Sequence, residues 1–213
     1  MTEMTLEKAL DLWNGEGAAP DTSRLPAHIQ ERVPQAAEHA SVMAEIGNQV
    51  DASRVGAFIE AAAASKTTPK RVHYLQRATQ SLANIYGPLS ACRSRCSHCC
   101  HIPVKITQAE AAYLGKKSCR TPAAANALAV EPVIVGYESP CPFLVDSKCS
   151  VYEYRPAVCR SHLNMDRDNL LCQLQPGLNV PVPYLDTRPL VAAAFAILGP
   201  AQPIADIRQW FPQ

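Results

Sequence analysis

The placement of its thiols constrains this chain more than any other feature. Arg95 to His101 reads RCSHCCH, three cysteines and two histidines in seven residues. A second segment, CPFLVDSKCSVYEYRPAVCRSH, adds Cys141, Cys149 and Cys159, and Cys172 follows. No cysteine precedes Cys92. Any fold of this chain must therefore explain why two distant segments carry most of its thiols.

A chain of 213 residues can bury an ordinary core without covalent staples, so the thiols are not needed as a scaffold of last resort. The count of nine is odd, which weakens a fully paired disulfide scheme. The N-terminal MTEMTLEKALDLWNGEG carries acids and no apolar core of the signal-peptide kind. The longest apolar run, Pro189 to Pro200, is too short to span a bilayer. The expectation is a cytoplasmic protein with no membrane association, in which dense cysteines read as metal ligands or redox groups. Net charge is +1, so no large polyanion and no nucleic acid is expected as partner; a protein partner is left open. Arg93, Arg95, Lys105, Lys116, Lys117 and Arg120 form a local basic bias around the first thiol segment.

The fold class expected is mainly α: a helical N-terminal half packed with an irregular, metal-stabilised cysteine-rich half. The expected division is a helical region 1–90, a cysteine-cluster metal-binding region 91–175, and a C-terminal helix and tail 176–213 on the same core. TLEKALDLW places Leu6, Leu10 and Trp13 near one helical face, and GEGAAPDTSRLP reads as a linker. Pro34 to Ala64 is rich in Ala and Glu, with Gly47 and Gly56 as dividing points. TTPKRVHYLQRATQSLANIYG predicts a helix with Thr68 as cap, Pro69 at its first position and Gly87 beyond its end. Val72, Leu75, Ala78, Thr79, Leu82 and Ile85 give that helix an apolar stripe. IPVKI reads as a short extended piece, and TQAEAAYLGKK as a helix with Thr107 and Glu110 spaced as a capping box. A second Thr-Pro helix start is expected at Thr121–Pro122, a short strand at Val133–Val135, a short helix carrying Cys172, and a last helix closed by Gly199–Pro200.

Cys96-x2-Cys99 has a chelating spacing, because a tight turn of that length aims both sulfurs at one point. Cys99 and Cys100 are neighbours and face opposite ways in an extended chain, so one can serve a first centre while the other faces a second or lies outside it. A disulfide between them would be strained. Cys96, Cys99 and Cys100 supply three sulfurs where a closed structural site needs four. The widely spaced Cys141, Cys149, Cys159 and Cys172 make sense as long-range ligands joining loops to the first segment. The candidate metal ligands are therefore Cys96, Cys99, Cys100, Cys141, Cys149, Cys159 and Cys172. Cys119 reads as an unligated thiol, and Cys92 is ambiguous.

The bland alternatives weigh differently from residue to residue. His98, His101 and His162 are candidate nitrogen ligands, but a satisfied or exposed histidine explains each as well. His28, His39 and His73 fall on expected helices as ordinary residues. Glu110 reads as a helix cap before a general base, and Tyr152 and Tyr154 as packing before redox groups. Four thiolates around a divalent ion leave a negative site, which Arg93, Arg95, Arg155 and Arg160 would offset while donating to sulfur or to backbone carbonyls. Arg155 also serves as an anchor for the Tyr-Arg-Pro turn.

CSHCC with IPVKITQAEAAYL, then CPFLVDSKCSVYEYRPAVCRSH and Cys172, resembles the YkgJ-like CxxCxxCC cysteine-cluster family. Cys96, Cys99 and Cys100 match the end of the family's first motif. Cys141-Pro142-Phe143-Leu144, Cys149, Tyr152, Arg155-Pro156 and Cys159-Arg160 match its second. The resemblance implies zinc or iron chelation, some members being labelled ferredoxins or Fe–S oxidoreductases. The family's leading cysteine would fall at Arg93, with Cys92 one residue early. The segment is also similar to part of flagellin lysine N-methylases, but no methyl-donor motif stands among the N-terminal helices.

A sulfur-rich donor set narrows the metal to zinc, an iron–sulfur cluster or Cu(I). Seven candidate thiols exceed one tetrahedral zinc, which favours a multinuclear centre or one cluster with outer thiols. The expected cofactor is an iron–sulfur cluster or iron, with zinc as the alternative. The expected function is a metal-binding protein with a redox or electron-transfer role. The alternatives are a zinc-stabilised interaction module and a metal-dependent modifying enzyme using Glu110, Asp146 or His162. The sequence leaves open whether the protein is an enzyme, since no phosphate loop, HExxH or nucleophile triad is present.

Overall fold

The computed structural model describes residues 22–125, 136–199 and 202–213. The expected first helix over TLEKALDLW and the expected strand at Val133–Val135 lie outside them. Within the described residues the chain is mainly helical, with seven α-helices and four short strands. In order these are α1 (Ala27–Asn48), α2 (Ser53–Ala64), α3 (Thr68–Tyr86), β1 (Lys105–Thr107), α4 (Gln108–Ser118), β2 (Leu144–Val145), β3 (Lys148–Cys149), α5 (Ala157–Ser161), α6 (Arg188–Leu198), β4 (Ile204–Asp206) and α7 (Ile207–Trp210). Among the described residues no helix is long and apolar enough to cross a membrane.

Helix α1 begins seven residues before the expected Pro34 and runs through it. The break comes at Gln49–Ala52, where Asp51 accepts from the Ser53 N–H and hydroxyl and so starts α2. Gly56 lies inside α2 with open space around it and divides nothing. Gly47 has a different task. A Cβ there would penetrate the ring of Tyr86, so α1 and α3 cross closely only because position 47 has no side chain. The Tyr86 hydroxyl then donates to Asn48 Oδ1 at 2.6 Å, which pins the ring in that approach.

Helix α3 is the platform of the fold: α2, α4, α5 and α6 all rest on it. Its buried face carries Val72, Leu75, Gln76, Ala78, Thr79 and Tyr86, while the expected Leu82 and Ile85 are half-buried. Its N-cap is Thr67 rather than Thr68, and Pro69 falls one position later than expected. The shift is one residue, and Pro tolerates either place because the first-turn N–H groups have no helical partner.

The capping box at Thr107 and Glu110 is present as the spacing predicts. Glu110 Oε2 accepts from the Thr107 N–H and hydroxyl, while Oε1 accepts from the Ala157 N–H at 3.1 Å. One buried carboxylate thus caps α4 and holds the start of α5. Strand β1 pairs antiparallel with β4, Lys105 opposite Asp206 and Thr107 opposite Ile204. The helix after Thr187 is α6, capped by Gly199 at φ 93°, but it is not the last. Asp206 and Gln209 form a second capping box that starts the four-residue α7. So short a helix has no periodic pattern to announce it.

Among the described residues three apolar clusters form the core. Val104, Ile106, Ala111, Leu114, Phe143, Val151, Ile207, Trp210 and Phe211 surround Cys141 in the first. Leu25, Ile29, Ala36 and Leu171 make the second, and Tyr86, Leu163 and Met165 the third. The last two join the N-terminal helices to the chain around Cys172. Between them sits a buried ion pair: Arg32 Nε and Nη2 donate to the two oxygens of Asp166 at 2.9 and 2.8 Å. Arg32 also reaches Asp168 at 3.0 Å.

Arg32→Ala would strand the Asp166 carboxylate, 1% exposed, without its cation. Denaturant unfolding should show a loss of about 3–5 kcal/mol. Gly47→Ala should also destabilise, by about 1–3 kcal/mol, despite a helix-propensity gain of about 1 kcal/mol. An unchanged unfolding midpoint for Gly47→Ala would show that Tyr86 can yield.

Candidate metal centre

The first thiol segment leaves α3 through a tight sequence of turns. Arg95 adopts φ 68°, a left-handed conformation that turns the chain just before Cys96. The Cys96 N–H donates to the Arg93 carbonyl at 3.0 Å. His98–Cys100 then form a single 3-10 turn. In such a turn consecutive side chains diverge by about 120°. Residue Cys99 is exposed, yet its thiol still meets that of Cys100, which packs half-buried against the first core cluster.

The second segment is shaped by a two-residue hairpin. Asp146 and Ser147 both have positive φ, 48° and 59°, the signature of a type I′ turn. That turn pairs β2 with β3 and sets Cys149 opposite Leu144. The Ser150 N–H and hydroxyl both donate to the Phe143 carbonyl and close the ladder. Beyond it, Tyr152–Tyr154 and α5 bring Cys159 inward, where it packs with Cys141, Cys149 and Cys100 on one apolar cluster.

The two segments meet backbone to backbone: the Cys141 N–H donates to the Cys100 carbonyl at 2.7 Å. Arg208, from α7, donates to the same carbonyl at 2.9 Å, to the Ser139 carbonyl at 2.9 Å and to the Ile102 carbonyl at 3.2 Å. Asp206 fixes that guanidinium and also accepts the Val104 N–H at 2.7 Å. At the other end, the Ala91 N–H donates to the Asn164 carbonyl at 2.8 Å, and the Asn164 amide reaches Cys172 Sγ at 3.2 Å. Cys92 is brought in this way towards Cys172.

All nine cysteines are free thiols. Burial pushes Cys141 up to about 11 and Cys172 up to about 12, and it also raises Cys96, Cys149 and Cys159. Cys99 is raised first by its hydrogen bond with the Cys100 thiol. Cys159 feels Cys141, Cys99 and Cys149, whereas Cys172 feels Cys92, Cys96 and Cys99. Without an ion these thiols are protonated at neutral pH and are not reactive nucleophiles. Among the described residues no three Cys, His, Asp or Glu side chains stand in an arrangement that would already hold an ion. The sulfurs share a local field without yet converging on one point.

Two features suit these residues to a thiolate-bound metal. Backbone N–H groups two residues on address three of the sulfurs: His98 for Cys96, Phe143 for Cys141 and Val151 for Cys149. Such donors favour the deprotonated sulfur that a metal needs. The second feature is Arg155. Its guanidinium lies 3.8 Å over the Tyr152 ring and is an electrostatic neighbour of Cys99, Cys149 and Cys159. Its buried Nε has no hydrogen-bond partner. Negative sulfur would supply the missing acceptor.

The other arginines act mainly on the backbone. Arg160 donates to the carbonyls of Arg155 and Glu153 and to Gln80, and Arg93 to the carbonyls of Ser90 and Cys92. His98 Nδ1 lies 2.9 Å from the Tyr137 hydroxyl. His101 rests against the same ring, 4.9 Å between centroids. His162 stacks on Tyr184 at 3.8 Å, and its buried Nε2 has no partner. Cys119 is exposed at the left-handed C-cap of α4, remote from the other thiols in its role. Tyr152 is largely exposed, so its ring serves as a surface for Arg155 rather than as core packing.

Sequence reasoning left Cys92 ambiguous and missed Arg208 and Asn164 altogether. Arg208 carries no local signal for this role, because the carbonyls it joins lie 69, 106 and 108 residues earlier. Of the three groups that an enzymatic reading needs, Glu110 is occupied as a double cap and Asp146 forms the hairpin turn. The cavity beside Glu110 has a volume of about 30 Å³ and is lined by α3, α5 and α6 residues with no cysteine.

Residues 91–175, less than half of the chain, match the family model described as "CxxCxxCC: Putative zinc- or iron-chelating domain". The match supports metal binding, by zinc or iron, as the chemistry of this segment. No curated protein and no solved structure matches the chain.

Burial holds His162 neutral, lowering it from 6.5 to about 4. The unfolded chain then binds the extra proton between those values, so stability falls as pH drops through that window. The metal-free protein should lose up to ~3 kcal/mol between pH 7 and pH 4 through this group. His162→Phe should remove that part of the acid sensitivity in denaturant titrations at the two pH values. An identical pH dependence in the variant would exclude His162 as its source.

Proposed function

We propose that the protein carries an iron–sulfur or iron centre on its clustered thiols and works in redox or electron-transfer chemistry in the cytoplasm. The observation that supports this reading is the place of Cys99: the residue lies in an exposed turn, while its thiol is turned in towards Cys100 and raised by that hydrogen bond and by burial. A bound iron–sulfur centre supplies one-electron exchange, and its rate depends on how near the surface it lies. The turn that carries Cys99 would bring one side of the centre near the surface, within reach of a protein partner.

The chain's own groups would set the conditions at the centre. Arg155 balances negative charge on the side of Cys149 and Cys159, and its unpartnered Nε is the donor available to sulfur. The N–H groups of His98, Phe143 and Val151 address the sulfurs of Cys96, Cys141 and Cys149. The apolar cluster around Cys141, with Phe143, Trp210 and Phe211, keeps water from the inner side. Fewer water dipoles and more N–H donors act in opposite directions on a cluster's potential.

A second reading is a zinc-stabilised interaction module. It is favoured by the packing of Cys100, Cys141, Cys149 and Cys159 on one core cluster, where a closed ion would serve as part of the core. Protein purified without air should be coloured and contain iron with stoichiometric sulfide, and dithionite should bleach its visible absorption. A colourless protein holding zinc alone, and unfolding when a chelator removes it, would replace the first reading by the second.

A further inference from the structure

Eight cysteines lie in or beside the two thiol segments, and the fold does not treat them as one group. Cys100, Cys141, Cys149 and Cys159 all pack on the cluster built around Phe143, Trp210 and Phe211. Cys92 packs instead on the cluster of Tyr86, Leu163 and Met165. Asn164 ties that second region together: its carbonyl receives the Ala91 N–H, and its amide reaches Cys172 Sγ. One turn, closed by the Cys96 N–H on the Arg93 carbonyl, returns the chain from Cys92 to Cys96. Electrostatic neighbourhoods follow the same line except at Cys99, which touches Cys100 and neighbours Cys149 and Cys159 as well. Cys172 has Cys92, Cys96 and Cys99 as its sulfur neighbours, and Cys141 has Cys149. Cys99 neighbours sulfurs of both groups, as its place beside Cys100 in the 3-10 turn requires.

We propose that these eight cysteines form two four-sulfur metal sites, one from Cys100, Cys141, Cys149 and Cys159, the other from Cys92, Cys96, Cys99 and Cys172. This rests on the metal-binding reading above and adds its stoichiometry and its division of ligands. Cys92, one residue out of the expected position, becomes a ligand, and Cys119 stays outside both sites. Each site takes sulfur from before and after the residues 126–135, so each closes the two segments on one another. At each site four S–H bonds break and four metal–sulfur bonds form. Four protons pass to the buffer, no electron moves, and a divalent ion leaves a net charge of −2. The first of these negative sites lies beside Arg155. Loading must rotate the sulfurs inward, since no three of them yet converge.

The test is a titration of the reduced, metal-free full chain with cobalt(II) under nitrogen, read by thiolate-to-cobalt absorption. The wild-type protein and Cys119→Ser should each take two equivalents. Cys92→Ser, Cys172→Ser, Cys149→Ser and Cys159→Ser should each keep one equivalent with half the absorption, and Cys92→Ser/Cys149→Ser should keep none. A variant can fail by unfolding, so the wild-type chain is also alkylated with N-ethylmaleimide at half loading and mapped by mass spectrometry. Thiols should be protected four together, by set. One equivalent in the wild type, two in Cys92→Ser, or protection that mixes the sets would overturn the division while leaving metal binding intact. No bound cobalt or zinc at all in the wild type would overturn the metal-binding reading itself.

Discussion

The cysteine-rich half depends on a single carbonyl. The oxygen of Cys100 accepts both the Cys141 N–H and the Arg208 guanidinium. The first bond joins the two thiol segments, and the second joins both to the C-terminal β4–α7 unit. Arg208 is itself held by Asp206, which also receives the Val104 N–H one residue before β1. These are buried or half-buried polar groups, and each would be costly if left without its partner. The register of β1 on β4 and the position of the thiols are thus one constraint seen from two sides.

The helical half meets this unit through α3 below and through Arg32 at the side. Glu110 joins α4 to α5 at the Ala157 N–H, which sets the helix that carries Cys159. Arg32 joins α1 to Asp166 and Asp168, in the stretch between Asn164 and Cys172. The helices therefore do more than bury apolar area. They fix both ends of the chain that returns to the first thiol segment.

Features written in local chemistry were legible in the sequence. The capping box at Thr107 and Glu110 needs only four residues, and the structure has it as expected. The stripe on α3 was legible because a period of 3.6 accumulates over nineteen residues. Gly47 and Gly56 were both read as dividing points, and the break falls between them, just beyond Gly47, because glycine in a helix says only that a side chain is absent. At Gly47 the absence accommodates Tyr86, and at Gly56 it accommodates nothing. The thiol segments could be recognised by spacing, but not the carbonyl that joins them. Arg208 meets Cys100, and Asn164 meets Ala91, across long sequence separations, where no pattern connects donor to acceptor.

The bond from Arg208 to Cys100 spans 108 residues of sequence. During translation the first thiol segment leaves the ribosome long before β4 and α7 exist. For that interval its cysteines lack both the strand beside them and the cation on their backbone. The polypeptide cannot complete its sulfur-rich half from one end to the other; residues 204–210 must be synthesised before the loops near Cys100 acquire their final support.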